Sequence, residues 1–433
     1  MDTALVGSDG EPVLGRAGCG SAAPLKVGVL VDLTLAAEAG GHVKCWERIA
    51  EASVGRADLD LTVHFNGPAP RRIELSSNVR YVLMPAVFST RQLVRRVPDH
   101  TDLAPWHPRL SRVLPNYDVI HTTDAFFCYA RTATRFARRH GVPVVSSIHT
   151  NTPEYARITV ENMLGHWLGD GVAYRLASQG FGIPDRVSRL LERRLCRHLD
   201  RVTLAMASYG GGLDGKFAGH HCSVALRRGL DRALFTPDKR DRAWFEARYG
   251  IPPGRFVVMY AGKLNAGKNV QLLAPAVAGA RRDGLPIHLF CAGTGDQRDR
   301  IAAGLGSAVT LPGNLSQEEL ARAYASADAF AFPSTIDESG NAAVEALACG
   351  LPGLFAAGSG VAARMSDCPA VQVLPGDEPA AWVAAIAGLA TIPEQCRALG
   401  RLGRAYVEAR VPSWAEVVTE DLLPVWQAAA AAR

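Results

Sequence analysis

The feature that most constrains this chain is a regular alternation of short, buried-type strand segments with stretches long enough to form helices. Four such segments lie in each half of the chain. They are residues 26–31, 61–65, 118–121, 142–148, 256–261, 287–292, 309–312 and 329–332. Apolar strands separated by helix-length segments are typical of βαβ units, whose parallel strands are covered by helices. Because the alternation comes in two series, the sequence predicts an α/β protein with two doubly wound, Rossmann-like domains. Ligands are expected at the carboxyl ends of the strands.

Composition along the chain indicates where the domains meet. With 433 residues, the chain has room for two or three domains of about 150 residues each. A glycine-rich stretch (YGGGLDGKFAGHH) contains no long periodic segment, so we place the boundary near residues 215–228. We therefore expect four parts: a disordered leader over 1–24, a first domain over 25–220, a second over 221–405, and a helical segment over 406–433 that packs back on the first domain.

Hydropathy and cysteine usage indicate the compartment. No run of about 18 apolar residues occurs, and the leader has acidic residues where a signal peptide has basic ones. The 9 cysteines include no CxxC pair, which argues against a disulfide framework and against a zinc site. The sequence therefore predicts a cytoplasmic protein without a transmembrane helix.

The net charge of +5 comes from an excess of basic residues in the first 220 residues. The densest basic segment, residues 186–201 (RVSRLLERRLCRHLDR), has apolar residues at helical spacing and is predicted to be an amphipathic helix. A solvated helix face is one interpretation. Peripheral contact with an anionic surface at the inner face of the membrane, or with an acidic acceptor, is the other. The excess is too small for nucleic-acid binding, and no aromatic residues are interleaved with it.

Two lysines follow a predicted strand in residues 261–270 (AGKLNAGKNV). A glycine permits a tight turn at the carboxyl end of the strand, and Lys263 and Lys268 come after it. Ammonium groups supply charge without demanding a planar partner, so the pair suits a diphosphate. A solvated loop is the alternative interpretation.

Acidic residues surround a predicted helix start in residues 332–352 (FPSTIDESGNAAVEALACGLP). Residues 337–340 are expected to form the turn before the helix, which begins near Asn341, so that its N-terminus offers an anion site. Glu345, one turn into the helix, can accept hydrogen bonds from two vicinal hydroxyls, as on a ribose. Acidic residues that only complement the helix dipole are the alternative.

Taken together and in this order, these segments resemble glycosyltransferase family 4, which has the GT-B fold. Further matches are GGHVKCWERIAEA after the first strand, RRGLDRALFTP at the opening of the second domain, and AGTGDQRDRI, PGNLSQEELARAYASADAFAFPS and EALACGLP after it. The resemblance runs from Lys26 to the last helix. It implies two Rossmann-like domains that face each other across a cleft, with the N-terminal domain on the acceptor side and the C-terminal domain binding the donor.

The resemblance also assigns residues to the donor phosphates. Gly40 and Gly41 match the glycine loop that approaches the phosphates, and Lys268 matches the lysine that binds the diphosphate. Lys263 stands where the family usually has arginine, so bidentate phosphate contact is lost there. Both lysines are expected to act in catalysis.

A second set of residues is assigned to the rest of the donor. Glu345 matches the second glutamate of the family's paired-glutamate motif, which holds the ribose. The first glutamate falls on Asp337, with Glu338 as a competing candidate, and Ser339 replaces the usual phenylalanine. The donor-binding segment is therefore expected to comprise Asp337, Glu338, Ser339, Gly340, Asn341 and Glu345.

The acceptor side is less defined. Many relatives carry His-x-His after the strand that matches 118–121, but this chain reads HTTD, which puts Thr123 at the position near the reacting centre. His149, in SIHTNTPEY, aligns with a frequent family histidine. It either faces the cleft as a catalytic residue or is a hydrogen-bonded structural histidine. His121 is expected to be structural, and residues 151–185 are expected to shape the acceptor site.

A short motif suggests a metal, but its context does not. Asp58-Leu59-Asp60 is a DxD, the metal motif of the other glycosyltransferase fold, yet here it precedes a strand of a Rossmann-like domain. The 12 histidines include no HExxH. We therefore expect neither a metal ion nor another cofactor.

The resemblance implies a retaining transferase that moves a sugar from a nucleoside-diphosphate sugar to a hydroxyl of a glycan, lipid or small molecule. The negative charge that develops on the leaving diphosphate would be met by Lys263, Lys268 and a helix N-terminus. A nucleotide-sugar epimerase, a phosphorylase of the same fold and a non-catalytic partner subunit that binds nucleotide-sugars are the alternatives. The sequence does not identify the base, the sugar or the acceptor.

Overall fold

A computed structural model describes residues 23–36, 41–89, 101–149, 152–169, 171–207, 222–335 and 340–433. The predicted leader lies outside these residues except for its last two. The described chain forms two sheets covered by helices, which confirms the predicted α/β class with two Rossmann-like domains.

The first domain is built on an eight-stranded sheet. Its strands are β1 (Leu25–Thr34), β2 (Leu59–Asn66), β3 (Arg71–Glu74), β4 (Val79–Met84), β5 (Val119–Thr122), β6 (Val144–Ile148), β7 (Leu204–Ala207) and β8 (Cys222–Ala225). They lie in the order β3-β4-β2-β1-β5-β6-β7-β8, and every neighbouring pair is parallel except β3 with β4.

Helices cover both faces of this sheet because its central strands are apolar on both sides. They are α1 (Gly41–Ala52), α2 (Pro108–Val113), α3 (Cys128–His140), α4 (Thr152–Leu168), α5 (Val172–Arg175) and α6 (Ile183–Leu199). In β1, Val27 and Val29 belong to the apolar cluster formed with α1. Leu30 faces the other way and belongs to the cluster formed with α3.

The second domain has a six-stranded, wholly parallel sheet. Its strands are β9 (Phe256–Ala261), β10 (Ile287–Ala292), β11 (Val309–Gly313), β12 (Ala329–Phe332), β13 (Gly353–Ala356) and β14 (Val371–Leu374), in the order β11-β10-β9-β12-β13-β14. Its helices are α7 (Arg242–Tyr249), α8 (Leu273–Arg282), α9 (Arg298–Leu305), α10 (Gln317–Ser326), α11 (Asn341–Ala348), α12 (Gly360–Arg364), α13 (Pro379–Thr391) and α14 (Pro393–Arg410).

The last helices return to the first domain. They are α15 (Trp414–Glu416) and α16 (Leu423–Ala431), joined by a π-helical turn over Val417–Leu422. Val418, Leu422 and Trp426 are fully buried in the same apolar cluster as Trp46 and Ile49 of α1. The end of the chain is therefore part of the first domain's core.

The chain passes between the two domains twice, and at both of these crossings the domain boundary differs from the predicted one. Strand β8 pairs with β7, so the first sheet extends to Ala225 and not to residue 220. The glycine-rich stretch precedes one more strand, whose backbone needs a partner. Helix α14 continues past residue 405 to Arg410, with Val407 buried in the second domain's core, so the return crossing lies at residues 411–413. The two crossings run side by side, and Leu230 N–H donates to the Pro412 carbonyl at 2.9 Å.

The order of the strands fixes where a ligand can bind. Strand connectivity reverses between β1 and β5 in the first sheet and between β9 and β12 in the second. In open parallel sheets such a switch point leaves a crevice at the carboxyl ends of the strands. A ligand is therefore expected to contact the loops that follow these four strands.

Candidate active-site cleft

The loop after β9 carries both predicted lysines. Gly262 has φ 150°, and a Cβ on Gly293, after β10, would lie 1.9 Å from the Gly262 carbonyl oxygen, so the two loops touch only because both residues are glycine. Lys263 follows at once. Lys268 ends a 3₁₀ turn capped by Asn265, whose Oδ1 accepts a hydrogen bond from the Lys268 N–H at 3.0 Å. Both lysine side chains are half-buried.

An asparagine joins this loop to the loop after β12. Asn269 has a left-handed backbone (φ 53°), and its Nδ2 donates to the carbonyls of Gly376 at 2.7 Å and Pro333 at 3.3 Å. Pro333 directly follows β12. The lysine loop and the loop that leads to α11 are therefore held together at the second sheet's switch point.

Helix α11 begins at Asn341, which confirms the predicted helix start. Gly340 is its N-cap and has φ 57°, and a Cβ there would lie 2.5 Å from the Cβ of Val361. Only glycine fits this position, for conformational and for steric reasons. The other predicted donor-binding residues of this turn, Asp337, Glu338 and Ser339, lie outside the described residues.

Glu345 lies one turn into α11 and is half-buried. Burial raises the pKa of Glu345 to about 8. The positive charge of Arg48 opposes that rise in pKa, as does the Tyr324 hydroxyl, which lies close by but lacks the geometry of a full hydrogen bond. In the absence of a ligand the carboxyl is therefore largely protonated near neutral pH.

The two domains meet across the cleft at this helix. A Cβ on Gly41, the first residue of α1, would lie 3.6 Å from Asn341 Nδ2, so the N-termini of α1 and α11 are neighbours. Arg48 of α1 also donates to Gln317 Oε1 of α10 at 3.1 Å. The predicted partner of Gly41, Gly40, lies outside the described residues.

His149 follows β6 and is 7% exposed, at the centre of a hydrogen-bond chain. Its Nε2 lies 2.8 Å from Ser147 Oγ, which in turn lies 2.8 Å from His121 Nε2. The other nitrogen of His121, Nδ1, accepts from the Trp426 indole N–H at 2.8 Å. Nδ1 of His149 accepts from Arg228 Nη2 at 3.1 Å. His121 is fully buried and has a structural environment, as its sequence context suggested.

Both histidines are neutral. Burial holds the pKa of His149 well below its usual range, helped by His42 and the Arg228 charge, and burial lowers the pKa of His121 to about 3. Because both nitrogens of His149 are engaged, the ring can accept a proton only after it releases Arg228. The catalytic role assigned to His149 therefore stays a prediction, while its contacts are those of a residue that positions Arg228.

Two groups near His149 were not predicted. Arg228 lies between the domains, in the RRGLD stretch, and its partner His149 is 79 residues away. His42, the second residue of α1, stacks on His149 with ring centroids 4.3 Å apart. The sequence offered a signal for the first, since Arg228 stands in a segment already identified as family-like. It offered the same kind of signal for the second, since His42 lies in the family-like segment GGHVKCWERIAEA.

A buried acidic cluster, also not predicted, lies behind the carboxyl ends of β1 and β5. Asp32 accepts hydrogen bonds from Asn66 Nδ2 at 2.7 Å and from the Tyr129 N–H at 3.0 Å. Asp124 accepts the N–H of Phe127 at 2.8 Å, just before α3. Burial, with the nearby charge of Asp124, raises the pKa of Asp32 to about 7. These contacts are internal, which gives the cluster a structural role.

The polar groups of two further sequence features, Thr123 and the DxD motif, also have partners within the protein. Thr123 is buried and donates from Oγ1 to the Leu30 carbonyl at 3.0 Å. The DxD carboxylates are occupied by arginines: Asp58 pairs with Arg56 at 2.8 Å and Asp60 with Arg80 at 2.5 Å. Among the described residues no group of three or more histidine, cysteine, aspartate or glutamate side chains could hold a metal ion.

Comparison with known families gives two matches along the chain. Residues 40–210 match the family model described as "Glycosyl transferase 4-like domain". Residues 255–391 match the one described as "Glycosyl transferases group 1". The second match contains both strands of the second sheet's switch point, β9 and β12, and the first match contains β5 of the first sheet's switch point but not β1.

The curated relatives share a name. A D-inositol 3-phosphate glycosyltransferase of Segniliparus rotundus is 29% identical over 67% of this chain and 62% of its own length. Another, from Catenulispora acidiphila, is 27% identical over 72% of this chain and 73% of its own length. The chain thus spans less than two thirds of the first relative.

Solved structures resemble the whole chain in fold. Sucrose-phosphate synthase from Thermosynechococcus elongatus superimposes with a TM-score of 0.70 over 94% of this chain and 100% of its own, at 18% identity. HepE from Anabaena, solved with UDP and glucose, gives a TM-score of 0.64 over 93% of this chain and 99% of its own, at 16% identity.

Proposed function

Since this chain belongs to glycosyltransferase family 4, we propose that it transfers a sugar from a nucleoside-diphosphate sugar to an acceptor hydroxyl. The transfer retains the anomeric configuration and needs no metal ion. The observation that carries the proposal is that the loop of Lys263 and Lys268 is tied to the loop leading to α11, which carries Glu345 and whose N-terminus neighbours that of α1 across the cleft.

The phosphates of the donor are assigned to the lysine loop. As the bond to the sugar breaks, negative charge grows on the leaving diphosphate, and Lys263 and Lys268 supply positive charge where it grows. The N-terminus of α11 adds its N–H groups and dipole, with Gly340 allowing close approach. Arginines already occupy the DxD carboxylates, which supports a mechanism based on these cations.

The nucleoside is assigned to Glu345. A ribose offers two adjacent hydroxyls, and a carboxylate can accept both. Hydroxyl donors favour the ionised form of a carboxyl, so binding is expected to lower the raised pKa of Glu345 and release its proton. Closure of the two domains over the donor would exclude water, which competes with the acceptor.

The acceptor class is taken from the relatives. The names of the curated relatives specify D-inositol 3-phosphate. We propose a phosphorylated polyol or a related hydroxyl compound as the first acceptor to test. The HepE structure was solved with UDP and glucose, so UDP-glucose is the first donor to test.

A direct test uses turnover and product stereochemistry. The protein is incubated with UDP-, GDP-, ADP- and dTDP-sugars and with D-inositol 3-phosphate, with and without EDTA, and products are followed by NMR. The proposal expects an α-linked product from an α-linked donor and full activity in EDTA. An inverted product, or activity lost in EDTA and restored by magnesium, would refute it.

Omission of the acceptor, an absorbance spectrum and a binding measurement separate the alternatives. An epimerase would convert the nucleotide-sugar without an acceptor, and a glycogen-type phosphorylase would show the absorbance of a bound pyridoxal phosphate. A partner subunit would bind a nucleoside diphosphate without turnover.

We also propose peripheral contact with the inner face of an anionic membrane. Helices α4 and α6 pack against each other. The end of α4 and the described residues between α4 and α6 carry exposed apolar side chains, and we call this region the tip: Trp167 (71% exposed), Val172 (74%), Leu176 (53%) and Phe181 (60%). Exposed arginines of α6, such as Arg186, lie behind this tip.

Apolar residues at a tip with cations behind them suit a lipid interface, where the rings enter the headgroup region and the cations meet anionic lipids. The contact would be peripheral, because within the described ranges no helix is long and apolar enough to cross a membrane.

A further inference from the structure

Arg228 is held in place by His149, but none of the groups that it contacts is an anion. It lies on the first crossing between the domains and contacts His149 through Nη2 at 3.1 Å. Its charge also acts on His42 and Cys45, in the first turns of α1. The guanidinium therefore lies beside the N-terminus of the helix whose first residue, Gly41, faces Asn341 across the cleft.

The hydrogen-bond chain fixes how Arg228 is held. An indole N–H and a guanidinium only donate, so Trp426 makes Nδ1 of His121 an acceptor and Arg228 makes Nδ1 of His149 an acceptor. Each neutral ring then carries its proton on Nε2 and donates it to Ser147 Oγ. The donors at the two ends of the hydrogen-bond chain, Trp426 and Arg228, thus determine the tautomers of both histidines. The lone pair on Nδ1 of His149 points to Arg228.

Two of the nitrogens of Arg228 have no acceptor. Within the described part of the chain, Nε and Nη1 are buried and make no hydrogen bond, and the guanidinium contacts the His149 ring and the Cys45 thiol, neither of which carries a negative charge. The groups around it are neutral, because burial lowers the pKa of His42 to about 3 and raises the pKa of the Cys45 thiol. Arg228 is half-buried, and burying two of its donor nitrogens without an acceptor is costly. A native chain tolerates that cost where a ligand supplies the missing acceptors.

We propose that Arg228 binds a phosphate oxyanion of the substrate beside the N-terminus of α1. The site combines a guanidinium with a twelve-residue helix whose dipole favours the same charge. This inference rests on the proposed function, which supplies two sources of phosphate: the diphosphate of the donor and a phosphate group on the acceptor. Arg228 is a binding residue in either case, and His149, Ser147 and His121 are positioning residues.

The test is calorimetric titration of the wild type, Arg228→Gln and Arg228→Lys. The probes are UDP, GDP and ADP for the donor, and D-inositol 3-phosphate and inorganic phosphate for the acceptor. Arg71→Gln, at an exposed position on the edge strand β3, is the matched control for loss of one positive charge. Arg228→Gln is expected to weaken binding about 10- to 100-fold, the usual value of a charged hydrogen bond. Arg228→Lys should weaken binding less, and Arg71→Gln should have no effect.

A second readout separates binding from a structural role. Because two donor nitrogens of Arg228 are buried without an acceptor, Arg228→Gln is expected to melt at the same temperature as the wild type or higher. Weaker nucleoside diphosphate binding assigns the site to the donor, and weaker inositol phosphate binding alone assigns it to the acceptor. Unchanged affinity for every probe that the wild type binds would overturn the inference, as would a clearly lower melting temperature. A wild type that binds none of the probes would instead refute the proposed function, and the inference with it.

Discussion

At the scale of single residues, Lys268 and Glu345 are assigned to parts of the donor that behave differently during the reaction. The diphosphate gains charge in the transition state, whereas the ribose does not change. Interactions that strengthen only in the transition state raise kcat, and interactions that stay constant set KM. Replacement of Lys268 should therefore mainly lower kcat, and replacement of Glu345 should mainly raise the donor KM.

Lys268→Ala is expected to lower kcat by roughly 100- to 1,000-fold, the usual cost of removing one donor from an oxyanion site. The donor KM should change far less. Steady-state kinetics with the donor varied measures both constants, and circular dichroism shows whether the variant is folded. A folded variant with unchanged kcat and KM would contradict the assignment.

Glu345→Gln is expected mainly to raise the donor KM, since the ribose contact is the same in ground and transition states. The proton on the Glu345 carboxyl gives a second test of this assignment. The free carboxyl has a pKa raised to about 8, and bound hydroxyls lower it, so donor binding at pH 7 should release close to one proton.

Affinity should accordingly rise with pH between about 6 and 8, and titrations in buffers of different ionisation enthalpy count the proton. Glu345→Gln should abolish the release. A variant that loses kcat but keeps donor affinity would show that Glu345 is not the ribose ligand.

Sequence patterns predicted the residues whose role depends on local geometry, such as the lysine loop and the start of α11. They could not predict Arg228, because its role comes from contacts with His149 and with α1, which are far away in the chain. For His149 the sequence left two possibilities open, and the choice depends on hydrogen-bond partners that only the fold brings together.

At the scale of elements, the buried acidic cluster gives the first domain a pH-dependent stability. The folded pKa of Asp32 is about 7, above its ordinary value of 3.8, so its contribution to stability is complete at low pH and is lost as pH rises through 7. Asp32→Asn should therefore remove part of the decline in unfolding free energy between pH 4 and 7, at most about 1.4 kcal/mol per pH unit.

Thermal melts at several pH values measure that slope. Asp58→Asn is the control, because the pKa of Asp58 is lowered by its hydrogen bond to Arg56 and should give no such decline. Equal slopes for the wild type and Asp32→Asn would show that Asp32 does not carry a raised pKa.

The tip between α4 and α6 is the element assigned to the membrane. Trp167→Ala combined with Phe181→Ala should lower binding to anionic liposomes by at least about tenfold, since each ring contributes roughly 1.5–3 kcal/mol of burial. Trp106→Ala, at a site 43% exposed elsewhere in the first domain, should have no effect. Sedimentation with phosphatidylglycerol vesicles at two salt concentrations measures both.

Salt should weaken this binding without abolishing it, because arginines and apolar rings both contribute. Equal binding of the wild type and the double variant would exclude the tip. Binding to neutral vesicles as strong as binding to anionic ones would exclude the role of α6.

Strand and helix prediction succeeded where apolar runs were long and buried, as at β1, β9 and β10. The four-residue strands β13 and β14 were not predicted, although β5 and β12, of the same length, were. What defines β13 and β14 is their pairing with each other and with the sheet, which no local pattern shows. Strand β8 was missed for the same reason, which displaced the predicted domain boundary.

At the scale of the whole molecule, the two domains are linked by two adjacent crossings, and the end of the chain reaches the centre of the first. Gly229 lies on one crossing and Trp414 directly follows the other, and a Cβ on the glycine would lie 2.6 Å from the indole. Trp426 of α16 begins the hydrogen-bond chain that ends at Arg228. The last helices therefore support the cleft as well as the fold.

The central claim is that this cleft binds a nucleoside-diphosphate sugar through the second domain's switch point. The most direct measurement is a thermal-shift screen of the wild type and Lys268→Ala against UDP, GDP, ADP and dTDP and their sugars. We predict that one nucleoside diphosphate, at 100 times its dissociation constant, stabilises the wild type by about 2.7 kcal/mol and Lys268→Ala by less, because the free diphosphate carries the charge that Lys268 meets in the transition state. The corresponding nucleotide-sugar should stabilise the two proteins more nearly equally, in line with the small expected change in donor KM. A folded wild type whose melting temperature none of these compounds raises, or a shift by the nucleoside diphosphate that is equal in both proteins, would contradict the claim.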